Sequence, residues 1–152
     1  MELDKIDKSI LTILQVNAKI TNAALAQQIN LSPAATLERV KKLEQYKVIT
    51  NYYAQIDYTQ VGFDIALIVG ITFQKMTGTV VKLFQAAIDK IASVLMCYQV
   101  IGNFDFILMV QTKDMASYQS EVVEKLYMLD GVERIQTLTV TQLLKNKPLR
   151  LG

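Results

Sequence analysis

Between residues 63 and 141 the chain switches twice between the period of a strand and the period of a helix, and that alternation leaves few folds open. Apolar, β-branched runs at 66–74, 94–101, 104–112 and 132–141 read as strands. Between them Val80, Phe84, Ala87, Ile88 and Ile91 make the inward stripe of a helix over 80–91. Met115, Tyr118, Val122, Leu126 and Leu129 do the same over 115–129. Two β-α-β halves in succession predict a ferredoxin-like βαββαβ sandwich: a four-stranded antiparallel sheet with both helices on one face.

The strands are too apolar for such a sheet to stand alone. Ile65, Leu67, Val69, Ile71 and Phe73 share one face, yet Ala66, Ile68 and Gly70 keep the other apolar as well, and 94–101 and 104–110 behave likewise. A sheet covered on one side ordinarily alternates apolar with polar, so a second cover is expected. Another copy of the chain supplies it most simply, which predicts a homodimer or a larger assembly.

The front of the chain follows a different period. Ile6, Ile10, Ile13 and Leu14 are the inward stripe of a first helix over 3–17. A second helix starts after Thr21 as N-cap, with Leu25 and Ile29 inward and Ala23, Ala24 and Ala26 allowing close approach. After a turn of about three residues comes a third, capped by Ser32 with Pro33 at its first position, where no amide hydrogen is needed. Leu37, Val40 and Leu43 are expected to pack, while Glu38 and Lys42, flanked by Arg39 and Lys41, point outward. Three short helices with so tight a turn match a helix-turn-helix, whose later helix enters a DNA major groove; a plain three-helix bundle is the alternative. Residues 48–58, rich in β-branched and aromatic side chains, read as a connecting strand. The expected division is a helix-turn-helix domain over 1–50, a linker strand over 51–62 and a sheet domain over 63–152, an α+β architecture overall.

Charge supports that division. Residues 1–50 carry seven Lys/Arg and five Asp/Glu, whereas residues 51–152 carry nine of each. So slight a basic excess suits DNA only if several copies multiply the phosphate contacts. On the third helix Ala34 and Ala35 can touch a thymine methyl but read no base edge by hydrogen bonding. Arg39, Lys41 and Lys42 are expected to reach phosphates or an occasional base, Ser32 and Thr36 to bond the DNA backbone, and Glu38 to lie on the same outward face. DNA bending would add shape-dependent selectivity.

Much other chemistry is excluded. With no histidine and a single cysteine, Cys97, there is no Ser-His-Asp or Cys-His arrangement, no histidine-containing zinc site, no thiolate cluster and no internal disulfide. Cys97 sits in an apolar run and reads as a buried small side chain. The six glycines stand too far apart for a phosphate-cradling loop. No catalytic, cofactor or metal site is therefore expected. Acidic residues at the front replace the basic start of a signal peptide, and no apolar run reaches membrane-spanning length, which predicts a cytoplasmic protein.

One carboxylate breaks the pattern. Ile101-Gly-Asn-Phe104 joins the two central strands as a two-residue hairpin signal, but Asp105 places a charge at the start of an apolar strand. Asp105 could hold an ammonium group while amides around Gly102 and Asn103 receive a carboxylate, a pairing suited to a free amino acid. Alternatively, Asp105 pairs with Lys or Arg at a subunit contact.

The residues Leu3-Asp-Lys-Ile-Asp7 with Ile10-Leu11, Leu31-Ser-Pro with Leu37-Glu-Arg-Val-Lys-Lys-Leu-Glu44, and the hairpin Gly102-Asn-Phe-Asp105 resemble the Lrp/AsnC, or feast/famine, family of transcriptional regulators over essentially the whole chain. The resemblance implies an N-terminal helix-turn-helix, a linking strand and a C-terminal αβ sandwich that dimerises through its sheet, with dimers assembling into tetramers, octamers or larger rings. It also implies that small effectors, usually amino acids, bind between dimers beside the hairpin, at Ile101, Gly102, Asn103, Phe104 and Asp105, and alter assembly or DNA affinity. Ile101 stands where the family often has Ser or Thr, and Asn103 where it often has Asp, which favours a hydrophobic amino acid. An effector-independent architectural DNA-binding protein is the second reading. Relatives that act as haem-precursor decarboxylases typically use histidine, which this chain lacks.

Overall fold

The computed structural model describes residues 2–151. By packing, the chain divides into two compact units: one runs from the N-terminus to Gln55 and takes in the segment from Lys145 onward, and the other is Ile56–Leu144. By packing, the sheet unit ends at Leu144 and the residues after it belong with the first unit.

In the first unit each helix begins on a side-chain cap. Helix α1 (Lys5–Val16) starts from Asp4, α2 (Asn22–Gln28) from Thr21 and α3 (Pro33–Gln45) from Ser32, each side chain accepting a first-turn amide. The ends are as well defined. Asn30 and Lys47 take left-handed backbone (φ 57° each). Leu31 N–H then donates to Ala26 O (3.0 Å) and Val48 N–H to Leu43 O (2.9 Å), the Schellman closure that uses up orphan carbonyls. Ile10, Leu11, Leu25 and Leu43 form the buried centre, with Ile6, Ile13, Leu14, Ile29 and Val40 partly buried around it.

Two expectations for α3 are corrected. Leu37 is 42% exposed, and its neighbour Thr36 is fully buried instead. Thr36 donates its hydroxyl to Ser32 O (3.0 Å), so the polar atom is satisfied within the helix and the inward stripe becomes Thr36, Val40 and Leu43. Thr36 is consequently withdrawn from any DNA surface.

An ionic clamp joins α1 to α3. Asp4 and Asp7 form a capping box, Asp7 N–H donating to Asp4 Oδ1 (2.8 Å) and Asp4 N–H to Asp7 Oδ2 (3.2 Å). Arg39 Nη1 takes the two remaining carboxylate oxygens, Asp4 Oδ2 and Asp7 Oδ1, at 2.8 Å each. The Asp7 amide, and after it the Arg39 guanidinium, hold the Asp4 carboxyl below its usual range. Arg39, expected on DNA, is thus claimed first by the capping carboxylates of α1.

The connecting strand expected over 48–58 is not found. Residues 51–57 have no regular structure and lead into a 3₁₀ turn, Tyr58–Val61. β-branched composition favours strand geometry, but a strand also needs a neighbour to receive its hydrogen bonds. Tyr52 is held locally, its hydroxyl donating to Glu44 Oε1 (2.8 Å) on α3.

The second unit is the expected sandwich. Strands β1 (Ile65–Phe73), β2 (Val94–Gln99), β3 (Phe106–Thr112) and β4 (Val132–Thr139) form one antiparallel sheet in the order β2-β3-β1-β4. Helix α4 (Gly78–Ile88) and a second helix cover one face. The second helix, α5, runs as Met115–Tyr118, a π turn at Gln119–Val123, and Glu124–Tyr127. Its buried residues Tyr118, Val122 and Leu126 recur every four positions, a spacing that drifts around a 3.6-residue turn. The wider π turn takes up that drift. Met115, expected inward, is 49% exposed at the helix start. Phe73, Phe84 and Phe106 meet at the centre, with Phe84 and Phe106 rings 4.3 Å apart.

Two measurements test the first unit. Arg39→Ala leaves Asp7 buried without its cation and is expected to cost roughly 1–3 kcal/mol in urea unfolding, discounted for the partial exposure of Arg39. Adding Asp7→Asn should recover part of that loss, and an unchanged midpoint in Arg39→Ala would remove the clamp from the account. Partial burial, then the Glu44 carboxylate, push the Tyr52 hydroxyl up to about 12. A raised pKa gives stability that is complete below the unfolded value of about 10 and is lost as pH rises toward the folded value. Stability should therefore fall between about pH 10 and 12, less steeply in Tyr52→Phe, as followed by ultraviolet tyrosinate titration alongside unfolding.

Candidate nucleic-acid interface and effector hairpin

The DNA-facing candidate is the outward side of α3. Ser32, Ala34, Ala35, Glu38, Lys41 and Lys42 are all exposed. Ser32 is already the N-cap, its oxygen accepting from Ala35 N–H (3.2 Å). Lys41 Nζ lies 3.3 Å from Glu38 Oε1, an exposed pair that a phosphate can displace at little cost. The start of α3 is fixed from behind, because Asn22 Nδ2 donates to Pro33 O (2.8 Å) and so ties the first turn of α2 to that of α3. Of the residues selected from the sequence, Thr36 and Arg39 thus stand behind this face and the other six on it. Sequence reasoning misses Asn22, Asp4 and Asp7. Asp4-x-x-Asp7 ahead of an apolar run is the available signal for the last two.

The second candidate is the turn between β2 and β3. It is not the two-residue hairpin expected. Val100 N–H donates to Asp105 O (2.9 Å), leaving the four residues Ile101, Gly102, Asn103 and Phe104 between them. Ile101 is fully exposed, and Gly102 adopts φ 152°, a backbone open to glycine.

Within the chain, among the described residues, Asp105 is partnered by backbone groups of β1. Its carboxylate oxygen Oδ2 accepts from Phe73 N–H (2.7 Å), and its own amide donates to Ile71 O (2.8 Å). The register of β1 against β4 shifts between Thr72 and Phe73, and the aspartate supplies an acceptor at that irregularity. Its first task is to hold the hairpin to β1.

Phe104 folds back over the sheet. A Cβ on Gly70 would meet its ring at 2.6 Å, so only glycine at the middle of β1 lets the ring lie there. Arg134, on β4, sits 5.5 Å over the same ring and donates from Nη2 to Asn103 O (3.2 Å). Thr72 Oγ1 reaches the same carbonyl at 3.4 Å. Gly70, Thr72 and Arg134 are not among the residues selected from the sequence. A lone glycine inside an apolar strand is the legible sign of a close approach; nothing local marks Arg134.

Gly70 belongs to the face of the sheet that α4 and α5 leave open. Two rows cross it in register: Met96, Met109, Ile68 and Leu138, then Tyr98, Ile107, Gly70 and Gln136. Met96, Tyr98 and Leu138 are about half exposed, Leu95 beside them is 44% exposed, and the face is otherwise mostly aliphatic. Cys97 points the other way, partly buried against the core, and burial pushes its thiol up, away from the reactive thiolate. Among the described residues no helix is long and apolar enough to cross a membrane.

Comparison with known proteins agrees with both halves. Residues 3–44 match the AsnC-type helix-turn-helix domain and residues 66–149 the Lrp/AsnC ligand binding domain. The leucine-responsive regulatory proteins of Salmonella typhimurium and Escherichia coli K12 are each 33% identical over 144 residues, spanning 95% of this chain and 88% of theirs. A transcriptional regulator of Neisseria meningitidis, crystallised as its L-Met complex, superposes with a TM-score of 0.91 at 28% identity, over 99% of this chain and 97% of that one. AsnC of Escherichia coli has the same fold, with a TM-score of 0.88 at 24% identity over 99% and 100% of the two chains. These matches are to regulators of transcription rather than enzymes. A capped helix-turn-helix ahead of a βαββαβ sandwich, matched in sequence across both parts, makes this chain a member of the Lrp/AsnC family of transcriptional regulators, with an AsnC-type DNA-binding domain and an Lrp/AsnC ligand-binding domain.

Proposed function

We propose that this regulator works in the cytoplasm as paired copies, each laying the outward side of α3 in a DNA major groove, with affinity or assembly set by a hydrophobic amino acid at the hairpin. The observation that carries the DNA reading is α3 itself: fixed at both ends by caps, held from behind by Asn22 and Arg39, and bearing on its outward side, among the described residues, one readily displaced ion pair. Lys41 and Lys42 then meet phosphates, Ala34 and Ala35 meet thymine methyls, and Ser32 and Glu38 flank them. The open sheet face supports pairing, because apolar rows of that extent are costly in water and a second copy of the same rows covers them symmetrically. In this scheme residues 1–50 read DNA, residues 51–62 link, and the sheet domain assembles and senses.

For the effector, amides at Gly102 and Asn103 receive the carboxylate, and Asp105, while still accepting from Phe73, offers negative charge to the ammonium group. Ile101 and the Phe104 ring supply apolar contact. The L-Met complex of the Neisseria relative supports a hydrophobic amino acid as the class. Because Phe104 also lies on the open sheet face at Gly70, a ligand that moves the hairpin alters the surface used for pairing. Architectural binding without an effector is the second reading, carried by Ile101 and Asn103 where the family resemblance implies hydroxyl and carboxylate side chains.

Lys42→Ala should weaken duplex binding nearly uniformly across sequences and lower the salt slope by about one phosphate, measured by fluorescence anisotropy. Full affinity in the Lys41→Ala, Lys42→Ala double variant would take α3 out of the interface. Calorimetric titration with all twenty amino acids should give heat for one or more apolar members and none for Gly70→Val, whose side chain displaces Phe104. Twenty silent titrations of the native protein would leave the architectural reading.

A further inference from the structure

The last residues of the chain do not stay with the domain that precedes them. Leu151 packs onto the Ile10, Leu11, Leu25 and Leu43 cluster of the helix-turn-helix unit, and Gln15 Nε2 on α1 donates to Leu149 O (3.4 Å). Lys145, Lys147 and Arg150 lie along this docked segment with exposed side chains, and Pro148 stiffens it between them.

Divided by packing, the charge separates sharply. Residues 1–55 carry seven Lys/Arg against five Asp/Glu, and the terminal segment adds three cations and no acid, for a net of +5. Ile56–Leu144 carries six Lys/Arg against nine Asp/Glu, a net of −3. The slight overall excess of +2 therefore conceals a strongly basic DNA-binding unit and an acidic sheet domain, and the terminal segment contributes most of that basicity.

We propose that residues 145–151 are a second phosphate-binding element of the DNA-binding unit, with Lys145, Lys147 and Arg150 touching the duplex backbone beyond the reach of α3. The inference rests on the DNA-binding reading above. Docking through Leu151 and Leu149 O matters because a strip already held in place loses less conformational freedom on binding than a loose basic tail. Binding to phosphates requires no base recognition, so it suits a segment without regular structure, and it adds to affinity and salt dependence without adding sequence preference.

The test is the salt dependence of affinity for a long mixed-sequence duplex, measured on three full-length proteins. The native chain sets the reference slope. Lys145→Gln, Lys147→Gln, Arg150→Gln should lower the slope by about 0.9 for each phosphate no longer neutralised, up to roughly 2.7 per bound chain, with weaker binding at low salt. Lys75→Gln, Lys82→Gln, Lys90→Gln removes the same charge from exposed positions of the sheet domain and should change the slope by less than about 0.9. A change smaller than that in the terminal triple, or equal decreases in both triples, overturns the proposal while leaving α3 as the reader. Absence of duplex binding by the native chain at low salt overturns the DNA-binding reading itself, and this proposal with it.

Discussion

The structure of the sheet domain follows from the pleat of its two central strands. Side chains on β1 and β3 must alternate between two faces, and in both strands most residues sent to either face are apolar. Two helices from the same chain cover one face, with Phe73, Phe84 and Phe106 at its centre. The other face has no cover from its own domain, and its rows of methionine, isoleucine and leucine, with Tyr98 beside them, are the surface a second copy would meet. The domain thus carries within its folding pattern the requirement for a partner.

The hairpin is itself part of that surface. Its aromatic residue is not a free flap but a plug over Gly70, gripped by Arg134 from above and tethered through Asn103 O and the Asp105 carboxylate. A ligand bound to Gly102 and Asn103 must act on a loop whose ring is part of the sheet face. Coupling between the proposed ligand and assembly would then need no long route through the protein, since Phe104 of the hairpin already lies on the sheet face.

The helix-turn-helix unit is built on a different principle, the satisfaction of helix ends. Three side-chain caps, two left-handed terminations and the Arg39 clamp fix the unit with very little apolar core. The cost is that some polar residues which look available are already committed. Arg39 is held by two carboxylates and Thr36 by its own helix, so the outward chemistry of α3 reduces to small residues and lysines. Such a face offers charge to phosphates and few groups to base edges, in keeping with the basic terminal segment gathered onto the same unit.

What the sequence determined by itself were features with short range. Caps at Thr21 and Ser32, the proline at the start of α3, the strand and helix periods of the second unit, and the excess of apolar residues on its sheet were legible because a hydrogen bond to the next turn or a side chain two positions on decides them. The misfit of Asp105 was also visible as a charge in an apolar strand, though its partner was not. Tertiary structure decided the rest: that Asp105 caps Phe73 across a strand irregularity, that Arg39 turns back to Asp4 and Asp7, that Arg134 closes over Phe104, and that the terminal segment joins the first unit. Each pairs residues some thirty or more positions apart, where no local periodicity carries information and only the packing of whole elements brings the groups within reach of one another.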